Sequence, residues 1–135
     1  MVGIIIISHG RFASGLLDAV SMITGEQKQI QAIAFNESQS PEDLKKNVED
    51  SLSSIDMGEG VMIFTDLFGA TPFNVAMRIY MESSRKIEVI AGVNLPIVLE
   101  AVLCREKEDL GSIYKYMLDV GVDSIKTIPE EIRKK

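Results

Sequence analysis

Two side chains, His9 and Asp66, give this chain its clearest opportunity for chemistry. His9 is the only histidine among 135 residues, and it stands just after the β-branched run Val2 to Ile7. A neutral imidazole carries one protonated nitrogen and one free lone pair, so it becomes a nucleophile once its tautomer is fixed. A carboxylate that accepts a hydrogen bond from one ring nitrogen does this. It also stabilises the imidazolium character that grows as the other nitrogen attacks. Asp66 follows a second apolar run, Gly60 to Thr65, and is a candidate for that role. Each residue has a plainer reading as well: a hydrogen-bonded histidine at a strand end, and a loop acid or cap. Gly10 allows a sharp turn and a close backbone approach to a ligand. A helix beginning near Arg11 or Phe12 aims its free N–H groups back at His9, an arrangement that suits a phosphoryl group. Arg11 either steers a phosphate or an acidic partner or is a plain surface arginine. Thr71 is expected to cap the helix after the Asp66–Asn74 turn, and its hydroxyl is also a candidate hydrogen-bond donor to a phosphoryl oxygen.

Other chemistries lack parts. A Ser-His-Asp hydrolase needs a nucleophile on the histidine's side, and Ser8 faces the other side of a strand. One histidine and one cysteine, Cys104, cannot make a His/Cys zinc site, and a lone cysteine rules out an internal disulfide. A receiver domain needs a pair of acids where this chain has Ser8-His9. Ser8-His9-Gly10-Arg11 superficially resembles the Arg-His-Gly motif of histidine phosphatases, but the second histidine of that mechanism is missing. Neither a P-loop nor a Gly-x-Gly-x-x-Gly fingerprint is present.

The elements that must position these residues are legible from periodicity. Val2 to Ile7 reads as a central parallel strand buried on both faces. Phe12, Leu16, Leu17, Val20 and Ile23 recur at helical spacing, and Gly25 stops that helix. Gln29 to Phe35 reads as a second strand. Ser40-Pro41-Glu42-Asp43 opens a helix with a hydroxyl cap, an early proline and first-turn acids, and Leu44, Val48 and Leu52 mark its buried stripe. Gly60 to Thr65 is a third strand, Thr71-Pro72 opens a third helix, and Ile87 to Ala91 is a fourth strand. A short helix from about Ile97 to Leu103 follows Pro96. Leu110, Ile113, Tyr114, Met117 and Leu118 mark a last helix closed by Gly121, and Asp123 to Ile128 reads as a weak fifth strand.

This alternation specifies an α/β fold: an open, doubly wound, mostly parallel sheet with helices on both faces, in one domain over 1–135. In the flavodoxin-like strand order 2-1-3-4 the topological switch point lies between strands 1 and 3, where ligands bind at the strands' carboxyl ends. His9 and Asp66 follow those strands, so the topology brings them together across 57 positions.

Composition narrows the partners. The formal net charge of -6 argues against a nucleic-acid binder, which needs a basic face. It suits a basic protein partner, or serves solubility alone. With 46% hydrophobic residues the chain can build a core without staples. The first apolar run is too short for a signal peptide, and the stretch from Ile87 to Cys104 is broken by Glu88, Asn94, Pro96 and Glu100, so no membrane span is expected.

Three segments, taken in order, carry a family resemblance: Ile5 to Gly15 (IIISHGRFASG), Thr65 to Asn74 (TDLFGATPFN) and Ala91 to Pro96 (AGVNLP). With them the chain resembles, over almost its whole length, the IIA (EIIA) domain of the mannose family of the bacterial sugar phosphotransferase system (PTS). The resemblance implies that His9 is phosphorylated by the carrier protein HPr, with Asp66 as its hydrogen-bond partner and Thr71 as a phosphate contact. It implies onward transfer to a histidine of a IIB domain and then to a sugar entering through a membrane IIC/IID complex. The resemblance implies phosphoenolpyruvate as the ultimate donor, and neither a metal nor a cofactor beyond the transient phosphohistidine. The implied setting is cytoplasmic, beside the transporter, and the implied assembly is a homodimer exchanging C-terminal strands. The family usually has a second glycine where Ala70 stands, and alanine fits if that residue needs no positive φ. The absence of a IIB domain after Lys135 is expected either of a stand-alone subunit or of one domain of a IIAB chain. The rival within this fold is the phosphocarrier subunit of the dihydroxyacetone kinase system; His9-Gly10 and Asn94-Leu95-Pro96 favour the mannose family. A rival of another class is a regulatory module that uses the phosphorylated form as a signal.

Overall fold

The four apolar runs form the strands of one parallel sheet. In the computed structural model, which describes residues 1–134, these are β1 (Gly3–His9), β2 (Ile30–Phe35), β3 (Val61–Thr65) and β4 (Ile87–Ala91), in the order β2-β1-β3-β4. Six helices accompany them: α1 (Phe12–Thr24), α2 (Pro41–Ile55), α3 (Thr71–Glu82), α4 (Leu95–Cys104), α5 (Leu110–Asp123) and α6 (Glu130–Arg133). None is long and apolar enough to cross a membrane.

Because side chains alternate along a strand, each central strand supplies both cores. Ile4 and Ile6 of β1, with Met62 and Phe64 of β3, pack against α1, α4 and α5. Ile5 and Ile7, with Val61 and Ile63, pack against α2 and α3. β1 and β3 are therefore fixed from both faces, and the parallel register sets Ile7 beside Thr65, two residues before His9 and one before Asp66.

Local signals account for most helix boundaries. The Ser40 hydroxyl accepts from Asp43 N–H while the Asp43 carboxylate accepts from Ser40 N–H, a complete capping box at α2. Gly25, at φ 82°, ends α1. Ala70 lies at φ -83°, so alanine stands there without strain.

Several expectations need correction. α4 begins at Leu95 rather than near Ile97, because Asn94 accepts from Ile97 N–H at 3.1 Å and a proline is tolerated in the first helical turn. Thr71 does not cap α3. It is the first helical residue, and the cap position before it is held by Ala70, which has no side-chain acceptor. Gly121 does not close α5, which continues to Asp123. A Cβ at Gly121 would sit 3.3 Å from Ile97 Cγ2, so this glycine permits α5 to pack closely on α4. Asp123 to Ile128 forms no strand among the described residues: α5 takes its first residue, Ser124 ends the helix, and a short α6 follows. A half-polar edge segment holds strand geometry only when a ladder partner satisfies its backbone, and this segment pairs with none within the described chain.

Arg105 was not anticipated. It is buried, and its guanidinium donates to the carbonyl oxygens of Val2, Lys28 and Gln29 and to Gln27 Oε1. Burial pulls its pKa down from the usual arginine value. It joins the end of α4 to the starts of β1 and β2, at the sheet edge opposite His9.

Candidate functional site

His9 is the last residue of β1, and Asp66 follows β3 directly. Two hydrogen bonds join them through a single carboxylate oxygen. Asp66 Oδ2 accepts from the His9 backbone N–H at 2.8 Å and lies 2.7 Å from His9 Nδ1. The other oxygen, Oδ1, accepts from Leu67 N–H at 2.9 Å. Burial alone would push the Asp66 carboxyl up, but the bonds from His9 and Leu67 outweigh it and hold the group below the usual carboxylate value. An ionised Asp66 can only accept, so Nδ1 carries the proton and Nε2 keeps its lone pair.

The two side chains differ in exposure. That of His9 is 52% exposed and that of Asp66 is 16%. The imidazole stands open to solvent while the carboxylate that contacts it is shielded. Phe35, paired with His9 in the β1–β2 ladder, meets the imidazole edge-on at a centroid distance of 6.1 Å. Sequence reasoning missed this wall, although the 2-1-3-4 order places the end of β2 beside the end of β1.

The turn after His9 is tightly determined. Gly10 adopts φ 53°, a left-handed conformation that favours glycine, and its N–H donates to Phe35 O at 3.0 Å. Arg11 holds the N-cap position of α1 and is exposed. On the other side of the crevice, Gly69 at φ 80° turns the chain into α3. Thr71 opens that helix at the same sheet edge, half-buried, with its hydroxyl free of a capping bond. α1 and α3 lie on opposite faces of the sheet and both begin at this edge. The partial positive charge of two helix N-termini thus borders the β1/β3 crevice. Apolar side chains stand around it: Phe12 and Leu67 are exposed, and Phe68, 77% exposed, rests against Phe73 at 4.7 Å between centroids.

Such an arrangement suits in-line attack by an exposed, tautomer-fixed imidazole on a group presented from outside. Comparison with known proteins gives it a lineage. A family model described as the PTS system fructose IIA component matches residues 3–118. The chain is 31% identical over 134 residues to the PTS system fructose-specific EIIA component of Bacillus subtilis (strain 168), a match covering 99% of this chain and 91% of that one. It is 30% identical over 128 residues to the PTS system mannose-specific EIIAB component of Escherichia coli (strain K12), covering 94% of this chain but 39% of that longer protein. Among solved structures, the phosphotransferase system component EIIA from Streptococcus agalactiae superposes with a TM-score of 0.88 at 30% identity, covering 94% of this chain and 97% of that one. The mannose/sorbose specific IIA subunit from Enterococcus faecalis superposes with a TM-score of 0.85 at 26% identity, covering 95% of each chain. By sequence along most of its length and by fold, the chain belongs to the mannose family of phosphotransferase-system EIIA components.

Proposed function

We propose that this EIIA component carries the phosphoryl group on His9 Nε2, accepting it from HPr and passing it to a histidine of a IIB domain during sugar uptake. The observation that carries the reading is the 2.7 Å contact between Asp66 Oδ2 and His9 Nδ1, which leaves Nε2 as the free nucleophile. In the accepting step the Nε2 lone pair forms the new N–P bond. The donor's own N–P bond breaks, and its electron pair returns to the donor imidazole. Nδ1 keeps its proton throughout, and the Asp66 carboxylate stabilises the positive charge that builds on the ring. The onward step reverses the roles, with His9 as the leaving group.

Thr71, Arg11 and the α1 and α3 N-termini are the proposed phosphate contacts, and Gly10 makes the turn that brings the α1 terminus up to the phosphoryl group. The relatives carry the names of different sugars, fructose and mannose, at nearly equal identity to this chain. That fits a carrier whose site meets protein histidines rather than the sugar. Neither a metal nor a cofactor enters the proposed transfer. The proposed setting is the cytoplasmic side of a IIC/IID transporter.

The assembly we propose is a homodimer in which residues 123–134 of each chain cover the unpaired outer edge of β4 in the other. Its support is a run of apolar side chains without cover at the end of the chain, Val122, Ile125, Ile128 and Ile132, together with exposed Tyr80 and Met81 on α3 beside that edge.

The transfer itself is tested on a purified IIB domain. Loss of label from the phosphorylated chain with matching gain on IIB is the expected result. A phosphorylated chain that never discharges to IIB would favour the signalling module instead.

A further inference from the structure

We infer that Ser8 is a positioning residue for phosphoryl transfer, acting through His9 and the first turn of α1; the inference rests on His9 being the carrier. Ser8 points away from the imidazole, into the core beneath α1, and is 0% exposed. Its hydroxyl is nonetheless bonded on both sides. Ser8 Oγ accepts from Ala13 N–H at 2.7 Å and donates to His9 O at 3.1 Å.

These two bonds fill a gap in the local sequence. The first N–H groups of a helix have no intrahelical acceptor, and the N-cap side chain ordinarily takes one of them. At α1 that position belongs to Arg11, which can only donate and makes no capping bond. Ser8 supplies the missing acceptor from the preceding strand. By the same hydroxyl it holds the His9 carbonyl, so the helix terminus and the nucleophile are referenced to one buried atom. The rest of the His9 backbone is tied elsewhere, with its own N–H on Asp66 and the following N–H on Phe35 O. Ser8 closes the remaining freedom, rotation of the Ser8–Gly10 segment about the end of β1. That rotation would swing Nε2 and the α1 N–H groups relative to each other. Misplacement by about 1 Å can cost roughly a hundredfold in rate.

Ser8→Ala removes the hydroxyl, Ser8→Cys keeps the volume but replaces it with a weak donor and acceptor, and Ser8→Thr keeps it. Steady-state transfer from phosphorylated HPr is measured for each, with kcat normalised to folded protein and KM for HPr determined separately. The expected result is a fall in kcat of about tenfold or more in the Ala and Cys variants, unchanged KM, and recovery in the Thr variant. If Ser8→Ala does not fold, Ser8→Cys carries the test. A kcat within twofold of wild type in the folded variants, whatever their melting temperatures, would reduce Ser8 to a structural residue. A rise in KM with kcat unchanged would equally overturn the assignment. His9→Ala is run in parallel, because phosphorylation surviving in that variant would remove the carrier reading itself rather than the role of Ser8.

Discussion

At the site, a single carboxylate oxygen does two jobs: Asp66 Oδ2 fixes both the backbone and the ring of His9. Asp66→Ala removes the acceptor, lets the competing tautomer populate and leaves the developing imidazolium unsupported. Phosphoryl transfer should fall by about 10²–10⁴-fold, the usual contribution of a positioned proton partner, with the circular dichroism spectrum unchanged. Transfer within twofold of wild type would show Asp66 to be a loop acid. The carboxylate also links to stability. The folded-state pKa of Asp66 is lowered, as is that of Asp56, where bonds from Gly58, Gly60 and Arg85 outweigh burial. A depressed carboxyl stabilises the fold fully above its unfolded value of about 4, and that contribution is lost as pH falls through the folded value. Melting temperature should therefore hold from neutral pH down to about 5 and drop below about 4. The acid-side drop should be shallower in Asp56→Asn, and an identical drop in that variant would exclude Asp56 as a source.

The helix and strand scale is where sequence reasoning succeeds and fails for identifiable reasons. β1 and β3 are legible because short continuous apolar runs bounded by turn residues have few other fates in an α/β chain. The starts of α2 and α3 were legible because an early proline and turn residues leave little choice of boundary. From those elements and the strand order, the pairing of His9 with Asp66 followed. What stayed hidden depends on tertiary contact. Gly121 carries the signature of a helix stop, yet its lack of a side chain serves the α4–α5 approach. Arg105 sits in the charged run Arg105-Glu106-Lys107-Glu108, which reads as a solvated turn, yet three backbone carbonyls claim it. Ser8 looks like a spectator on the wrong face until the first turn of α1 is seen to lack a cap. A test at this scale lies at Gly60, where φ is +90° and an added Cβ would fall 2.8 Å from Lys86 O. Gly60→Ala combines a left-handed backbone with a clash against backbone, and strain of this kind costs about 1–3 kcal/mol. Chemical denaturation should show a loss of at least that size. Because Gly60 opens β3 at the edge opposite His9, transfer by the folded fraction should be unchanged. A variant as stable as wild type would mean that the turn before β3 relaxes freely.

Taken whole, the molecule is a four-stranded parallel sheet with His9 and Asp66 at one open edge and an uncovered C-terminal segment. Ile125 is 82% exposed in the single chain, an arrangement that calls for a covering surface. If two chains exchange residues 123–134, the 135-residue chain should sediment as a dimer at micromolar concentration, and a chain ending at Val122 as a monomer or an aggregate. A monomeric 135-residue chain would end the exchange hypothesis and leave the site untouched, since His9 and Asp66 are both supplied by one chain. The central claim is that His9 carries the phosphoryl group. It is tested most directly by incubating wild type and His9→Ala with phosphoenolpyruvate, enzyme I and HPr, then measuring incorporated phosphate and its lability. Wild type should take up one phosphoryl group per chain, labile in acid and stable in base, and His9→Ala should take up none. Equal incorporation in the two proteins would contradict the account.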